Sequence, residues 1–122
     1  MKQGQDFDQQ QTITNTSEFR ELQFQVVGMN GTRVVVATGE IDMASAPGLW
    51  EALSEAIAAG QGDVIVDLSG VTFIDSQGLS VLVRACKALS PEGRGLCLRS
   101  PRPQVRQALE VSGVTSVLTL DR

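Results

Sequence analysis

Histidine and tyrosine are absent from this 122-residue chain, which also holds a single tryptophan and only two cysteines. Without histidine, a serine nucleophile has no imidazole base and the familiar triad cannot be assembled. Metal chemistry is similarly impoverished, because two distant cysteines leave carboxylates as the only ligands, and none of them is spaced as a calcium loop. Cys86 and Cys97 are too few for a disulfide framework and fit a reducing compartment. No apolar stretch approaches the roughly 20 residues needed to cross a bilayer. The first residues do not follow the basic-then-apolar order of a secretory leader. These absences lead to the expectation of a cytoplasmic protein that is no enzyme, needs no cofactor or metal and makes no membrane contact.

What is present is ordinary globular material, 42% apolar and 20% charged, enough for one domain with one sizeable core. Aromatics make up 4%, so that core must be built from Val, Leu, Ile and Ala. The net charge of −4 is unevenly spread. Residues 1–83 carry three basic and eleven acidic side chains, whereas residues 84–122 carry seven basic and three acidic ones. A nucleic-acid binder places positive charge at its recognition elements. Here the most distinctive motifs lie in the acidic part, which points to a protein partner and away from direct contact with nucleic acid.

Residues 1–18 contain five glutamines and few apolar residues, and read as a flexible tail. The domain then spans 19–122. Leu22, Phe24 and Val26 alternate, Asn30-Gly31 is a hairpin signal, and Arg33 to Thr38 is β-branched and apolar, ending at Gly39. An antiparallel hairpin is therefore expected first. Ser45 and Pro47 start a helix, with serine available as cap. Leu49, Leu53 and Ile57 follow at helical spacing until Gly60 and Gly62. Val64 to Leu68 and Leu96 to Arg99 read as strands buried on both faces of a parallel sheet. Between them, Leu79, Leu82, Cys86 and Leu89 share a helical face opposite Ser80, Arg84 and Lys87. Pro101 and Pro103 introduce a third helix with Val105, Leu109 and Ser112 inward, and Val117 to Leu120 gives a last strand. Alternating strands and helices require crossovers. The fold class is thus α/β, a mixed sheet with helices packed on it.

The segment Asp67 to Val83, DLSGVTFIDSQGLSVLV, concentrates the chemistry. Two short apolar stretches are followed by an abrupt turn at Asp75-Ser76-Gln77-Gly78 into a helical pattern. Ser76 then sits at a helix mouth, where outward N–H groups and the helix dipole suit an anion or an added phosphate. Catalysis by Ser76 is excluded on distance and basicity. Lys87 lies eleven positions along the same helix, about 16 Å away, and Asp75 is too weak a base at neutral pH. The segment is also not the G-x-S-x-G elbow of hydrolases. A phosphorylatable Asp75 with Glu40 and Asp42 as a magnesium cluster would need a later lysine that is missing. Ser76 remains either a helix cap, worth about 1 kcal/mol, or an accessible acceptor of modification, and the two are compatible.

Three segments in order then resemble the STAS domain of bacterial anti-sigma factor antagonists (anti-anti-sigma factors). Gly39-Glu40-Ile41-Asp42 resembles the family's G-E-I/L-D segment. Asp67-Leu68-Ser69 through Phe73, Asp75, Ser76 and Gly78 resembles its D-L-S-x-V-x-F-x-D-S-x-G-L signature, and Pro103 to Gly113 resembles its weaker C-terminal segment. The resemblance covers roughly residues 20–121. It implies a STAS-like fold and regulation of transcription by partner switching. Unphosphorylated protein would bind an anti-sigma factor that is also a serine kinase, freeing a sigma factor. Phosphorylation of Ser76 would end that binding, and a serine phosphatase would reset it. Asp75 would orient Ser76, and Glu40, Asp42, Gly78 and Leu79 would join them on the binding face, with Gly78 admitting the partner's backbone or simply easing a tight turn. The alternative is a STAS accessory subunit of a membrane transport complex for lipids or anions.

Both cysteines have two readings. Cys86 and Cys97 read as small core residues, or as a redox pair. Trp50 reads as an anchor at the core edge. Arg106 and Glu110 are spaced for a helical ion pair.

Overall fold

A computed structural model of the chain describes residues 12–13, 23–29, 32–114 and 119–121. Among these residues, six strands and three α-helices follow in the order β1 (Thr12–Ile13), β2 (Gln23–Met29), β3 (Thr32–Ile41), α1 (Ala46–Ala59), β4 (Val64–Ile74), α2 (Ser76–Leu89), β5 (Leu96–Arg99), α3 (Pro103–Ser112) and β6 (Thr119–Asp121), with one short 3-10 turn at Ser90–Glu92 after α2. They form one sheet in sequence order. β1 runs antiparallel to β2 and β2 antiparallel to β3, whereas β3, β4, β5 and β6 are mutually parallel. The change of direction falls where the helices begin, because only parallel neighbours need a crossover. Thr12–Ile13 places a short strand within the segment expected to be an irregular tail. The Asn30-Gly31 turn and residues 115–118 lie outside the described residues, so of the expected last strand Thr119 and Leu120 are described, and the strand continues to Asp121.

β4 and β5 are not buried on both faces. Val64, Val66, Leu68, Leu96 and Leu98 are fully or almost fully buried, while Ile65, Asp67, Cys97 and Arg99 between them are half-buried. The reason is that Leu49 and Leu53 of α1, Leu82 and Leu89 of α2, and Val105 and Leu109 of α3 all join the same core cluster as those strand residues. With every helix contributing to one core, alternate strand positions are left on the other face. Ser112 is exposed, not inward, and its hydroxyl donates to the Leu109 carbonyl at 3.0 Å.

The inward face of α2 is also rotated from the expected one. Gly78, Val81, Leu82, Ala85 and Leu89 are buried, and Leu79 and Cys86 sit at the margin of the core. Small residues decide this, since Gly78 and Ala85 let the helix axis approach the sheet and α1 more closely than a leucine stripe would. β4 is one strand of 11 residues, although its alternation slips at Ser69-Gly70. The β3–β4 register shifts there, between Val36 and Thr38, and again farther along, between Gly39 and Glu40, where Val71 gives way to Phe73. Gly39 takes φ 117°, a conformation favoured only for glycine. These irregularities realign the ends of β3 and β4 so that Glu40 pairs with Phe73 and Ile41 with Ile74.

Candidate functional site

That final register brings the two sequence motifs together. Because β3 and β4 are parallel and end in step, the loops that follow them leave the sheet side by side, at the carboxyl ends of the strands where α/β folds place their sites. The Asp75 N–H donates to the Ile41 carbonyl at 3.0 Å, extending the ladder by one residue. Asp42 and Asp75, 33 positions apart, are thereby neighbours.

Each carboxylate is occupied in building its own loop. Asp75 is the N-cap of α2: Oδ1 accepts the N–H groups of Gln77 at 2.9 Å and Gly78 at 3.1 Å. Its Oδ2 accepts the Met43 N–H at 3.0 Å, tying the two loops together. Asp42 Oδ1 accepts the Ser45 N–H at 3.0 Å. The Ser45 hydroxyl in turn donates to the Glu40 carbonyl and accepts the Asp42 N–H, both at 2.9 Å. Ser45 makes no side-chain cap to α1; it braces the turn behind it, because Asp42 has already ordered that turn.

Ser76 occupies the first position of α2 and is exposed. Two expectations change here. The cap is Asp75, not Ser76. The N–H groups expected to greet an anion are also partly taken, since those of Gln77 and Gly78 already donate to Asp75. Asp75 therefore grips the turn that carries the serine instead of the hydroxyl itself. Gly78 is buried, and a Cβ on it would stand 2.4 Å from Ile41 Cγ2 and 2.8 Å from Ile74 Cγ1. Its smallness serves the seating of α2 on β3 and β4, not a partner's approach. Leu79 is half-buried at the core margin, and Glu40 is half-buried in the ladder opposite Phe73.

Sequence reasoning passed over two neighbours of the serine. Met43 is 72% exposed and Phe73 is 48% exposed. Large apolar side chains left in water are a feature of surfaces that a partner covers. The signal was available, since Met43 breaks an otherwise polar turn and Phe73 precedes Asp75 by two. Reading it required knowing which face of β4 Phe73 takes and where the turn after β3 carries Met43.

Cys86 and Cys97 are both half-buried and form no disulfide. Trp50 packs at the core edge as expected, with the Arg84 guanidinium 3.9 Å from its ring centroid. Arg106 and Glu110 form the expected i,i+4 pair at 3.4 Å. Among the described residues no His, Cys, Asp and Glu group converges to hold a metal ion, and no helix is long and apolar enough to cross a membrane.

The STAS domain family model matches residues 23–122. The chain is a STAS-domain protein. Among relatives of this STAS domain, an anti-sigma-B factor antagonist of Staphylococcus aureus is 29% identical over 80 residues, covering 66% of this chain and 74% of that protein. The crystal structure of an anti-sigma factor antagonist from Mycobacterium paratuberculosis superposes with TM-score 0.76 at 29% identity, covering 84% of this chain and 86% of that one. The Bacillus cell fate determinant SpoIIAA in its phosphorylated form shares the fold at TM-score 0.63 and 22% identity, over 81% of this chain and 91% of that chain.

Proposed function

We propose that this STAS domain is an anti-sigma factor antagonist switched by phosphorylation of Ser76. The reading rests on one observation above the rest: an exposed serine at the first turn of α2, next to the Asp75 carboxylate that holds the loop carrying exposed Met43. The names of the relatives favour an antagonist over the transport-subunit alternative.

In the unmodified state the Ser76 surface, with Met43 and Phe73 as apolar contacts and Glu40, Asp42 and Asp75 as its acidic surround, binds an anti-sigma factor. That binding displaces the sigma factor. The same partner acts as kinase: Ser76 Oγ attacks the γ-phosphorus of ATP, the new O–P bond forms as the bond to ADP breaks, and the hydroxyl proton passes to a base on the kinase. A phosphoserine adds about −1.5 to −2 charges. The added charge stands beside the Asp75 carboxylate, on a turn whose nearest N–H donors are already engaged. Burying it unpaired costs several kcal/mol, and every 1.4 kcal/mol is about tenfold in affinity. Release thus comes from the surface, with the fold unchanged. A serine phosphatase restores the hydroxyl.

The experiment compares wild type, Ser76→Ala and Ser76→Glu as baits in extract of the native cell, with mass spectrometry of what each retains. Wild type and Ser76→Ala should hold a protein bearing a kinase ATP-binding domain, and Ser76→Glu should not. Equal retention by Ser76→Glu, or no phosphate on Ser76 after incubation of the captured protein with ATP, sinks the proposal.

A further inference from the structure

Beyond the serine turn, the outer face of α2 carries Ser76, Ser80, Val83, Arg84 and Lys87 on successive turns. Between this face and the second residue after α3 lies an open groove of about 400 Å³, lined by Leu79, Ser80, Val83, Arg84, Lys87 and Val114. Leu79, Val83 and Val114 are half-buried and form an apolar floor, while Arg84 and Lys87 are exposed at the rim. Among the described residues neither cation forms an ion pair. Arg84 stacks on Trp50, an arrangement that leaves the in-plane N–H donors of a guanidinium available. The groove serves neither the cap of α2 nor the braced turn at Asp42.

We infer that this groove docks an acidic, leucine-bearing helical segment of the protein partner. Charge selects the sign: Arg84 and Lys87 at the rim attract an acidic segment and reject a basic one. Backbone geometry selects the shape. The N–H and C=O groups of α2 are satisfied within the helix, so an extended peptide finds no edge to pair with, and side-chain docking of an amphipathic helix is the mode that fits. Continuity gives the reach. From Ser76 to Lys87 α2 rises about 16 Å, three turns, so one segment seated along it spans from the basic groove to the acidic serine turn. Opposite charge at the two ends fixes its direction. The inference names the chemistry of the partner proposed above and rests on that reading only for the partner's identity.

Trp50 is the sole tryptophan and lies beneath Arg84, so its emission reports on the groove in the full chain. The probe is a synthetic amphipathic helix with leucines at i, i+3, i+4 and i+7 and flanking glutamates, against the same peptide with lysines for glutamates. Saturable change in Trp50 emission is expected with the acidic peptide, weakened about tenfold or more by lysines in the peptide or by Lys87→Glu in the protein. Val83→Asp should abolish it, with circular dichroism confirming the fold. Equal response to both peptides, or none, overturns the inference. So does a response present without peptide and removed by Asp6→Lys with Asp8→Lys, which assigns the groove to the chain's own first residues. Groove and switch fail separately. Peptide binding without any phosphorylation of Ser76 sinks the switch alone, and phosphorylation without peptide binding sinks the groove alone.

Discussion

The carboxylate of Asp75 holds the backbone N–H of Met43 at 3.0 Å, across 32 positions of sequence, while its other oxygen caps α2. One side chain thus fixes both the start of the helix bearing Ser76 and the loop bearing an exposed apolar neighbour. The serine surface is rigid because of this double use, and a partner meets it preformed.

Removing Asp75 should therefore cost more than an ordinary cap. Loss of the cap is worth about 0.5–2 kcal/mol and the Met43 bond about 0.5–1.5 kcal/mol. Asp75→Ala should lower unfolding stability in urea by about 1–3.5 kcal/mol. Asp75→Asn should cost about half of that, since one amide oxygen can still cap while the NH2 cannot accept from Met43. Equal stability of all three proteins would show the cross-loop bond to be energetically idle.

Gly78→Ala should destabilise despite the higher helix propensity of alanine. The gain is about 1 kcal/mol at most, against about 1–3 kcal/mol for overpacking where the new Cβ meets Ile41 and Ile74. Pairing it with Ile41→Ala should give a loss smaller than the sum of the two singles, measured as a double-mutant cycle in urea. Strict additivity would mean that the glycine is not set by that contact.

Ser76→Glu should leave stability unchanged or raise it slightly, by about 0.3–1 kcal/mol, because an acidic group in the first helical turn faces the positive end of the dipole. Thermal melting checks this. A large loss would imply that phosphorylation acts by loosening the fold instead of through the surface.

Arg84→Ala should cost about 0.5–1 kcal/mol from the lost stacking on Trp50 and shift Trp50 emission toward that of a more solvated indole. An unchanged spectrum would place the guanidinium elsewhere in solution.

Several features were open to the reader of the sequence. The order of elements follows from the change of hydrophobic period, the glycine and proline punctuation, and a β-branched stretch before Gly39. The D-S-x-G turn announced itself through its motif, and the absence of histidine removed the imidazole base of a serine triad without any structure. Local residue types carry these features, so local reading finds them.

Proximity was decided in three dimensions. Asp42 and Asp75 meet because two register shifts bring Ile41 level with Ile74, and no spacing along the chain encodes that. The face of α2 was ambiguous in sequence, since Leu79, Leu82, Cys86 and Leu89 make as good a stripe as Val81, Leu82, Ala85 and Leu89. Packing chose the second because Gly78 and Ala85 allow close approach. The choice turned Leu79 and Val83 toward the groove and left Ser76 in water. Periodicity ranks faces by how apolar they are, whereas burial also depends on which face lets two backbones come near.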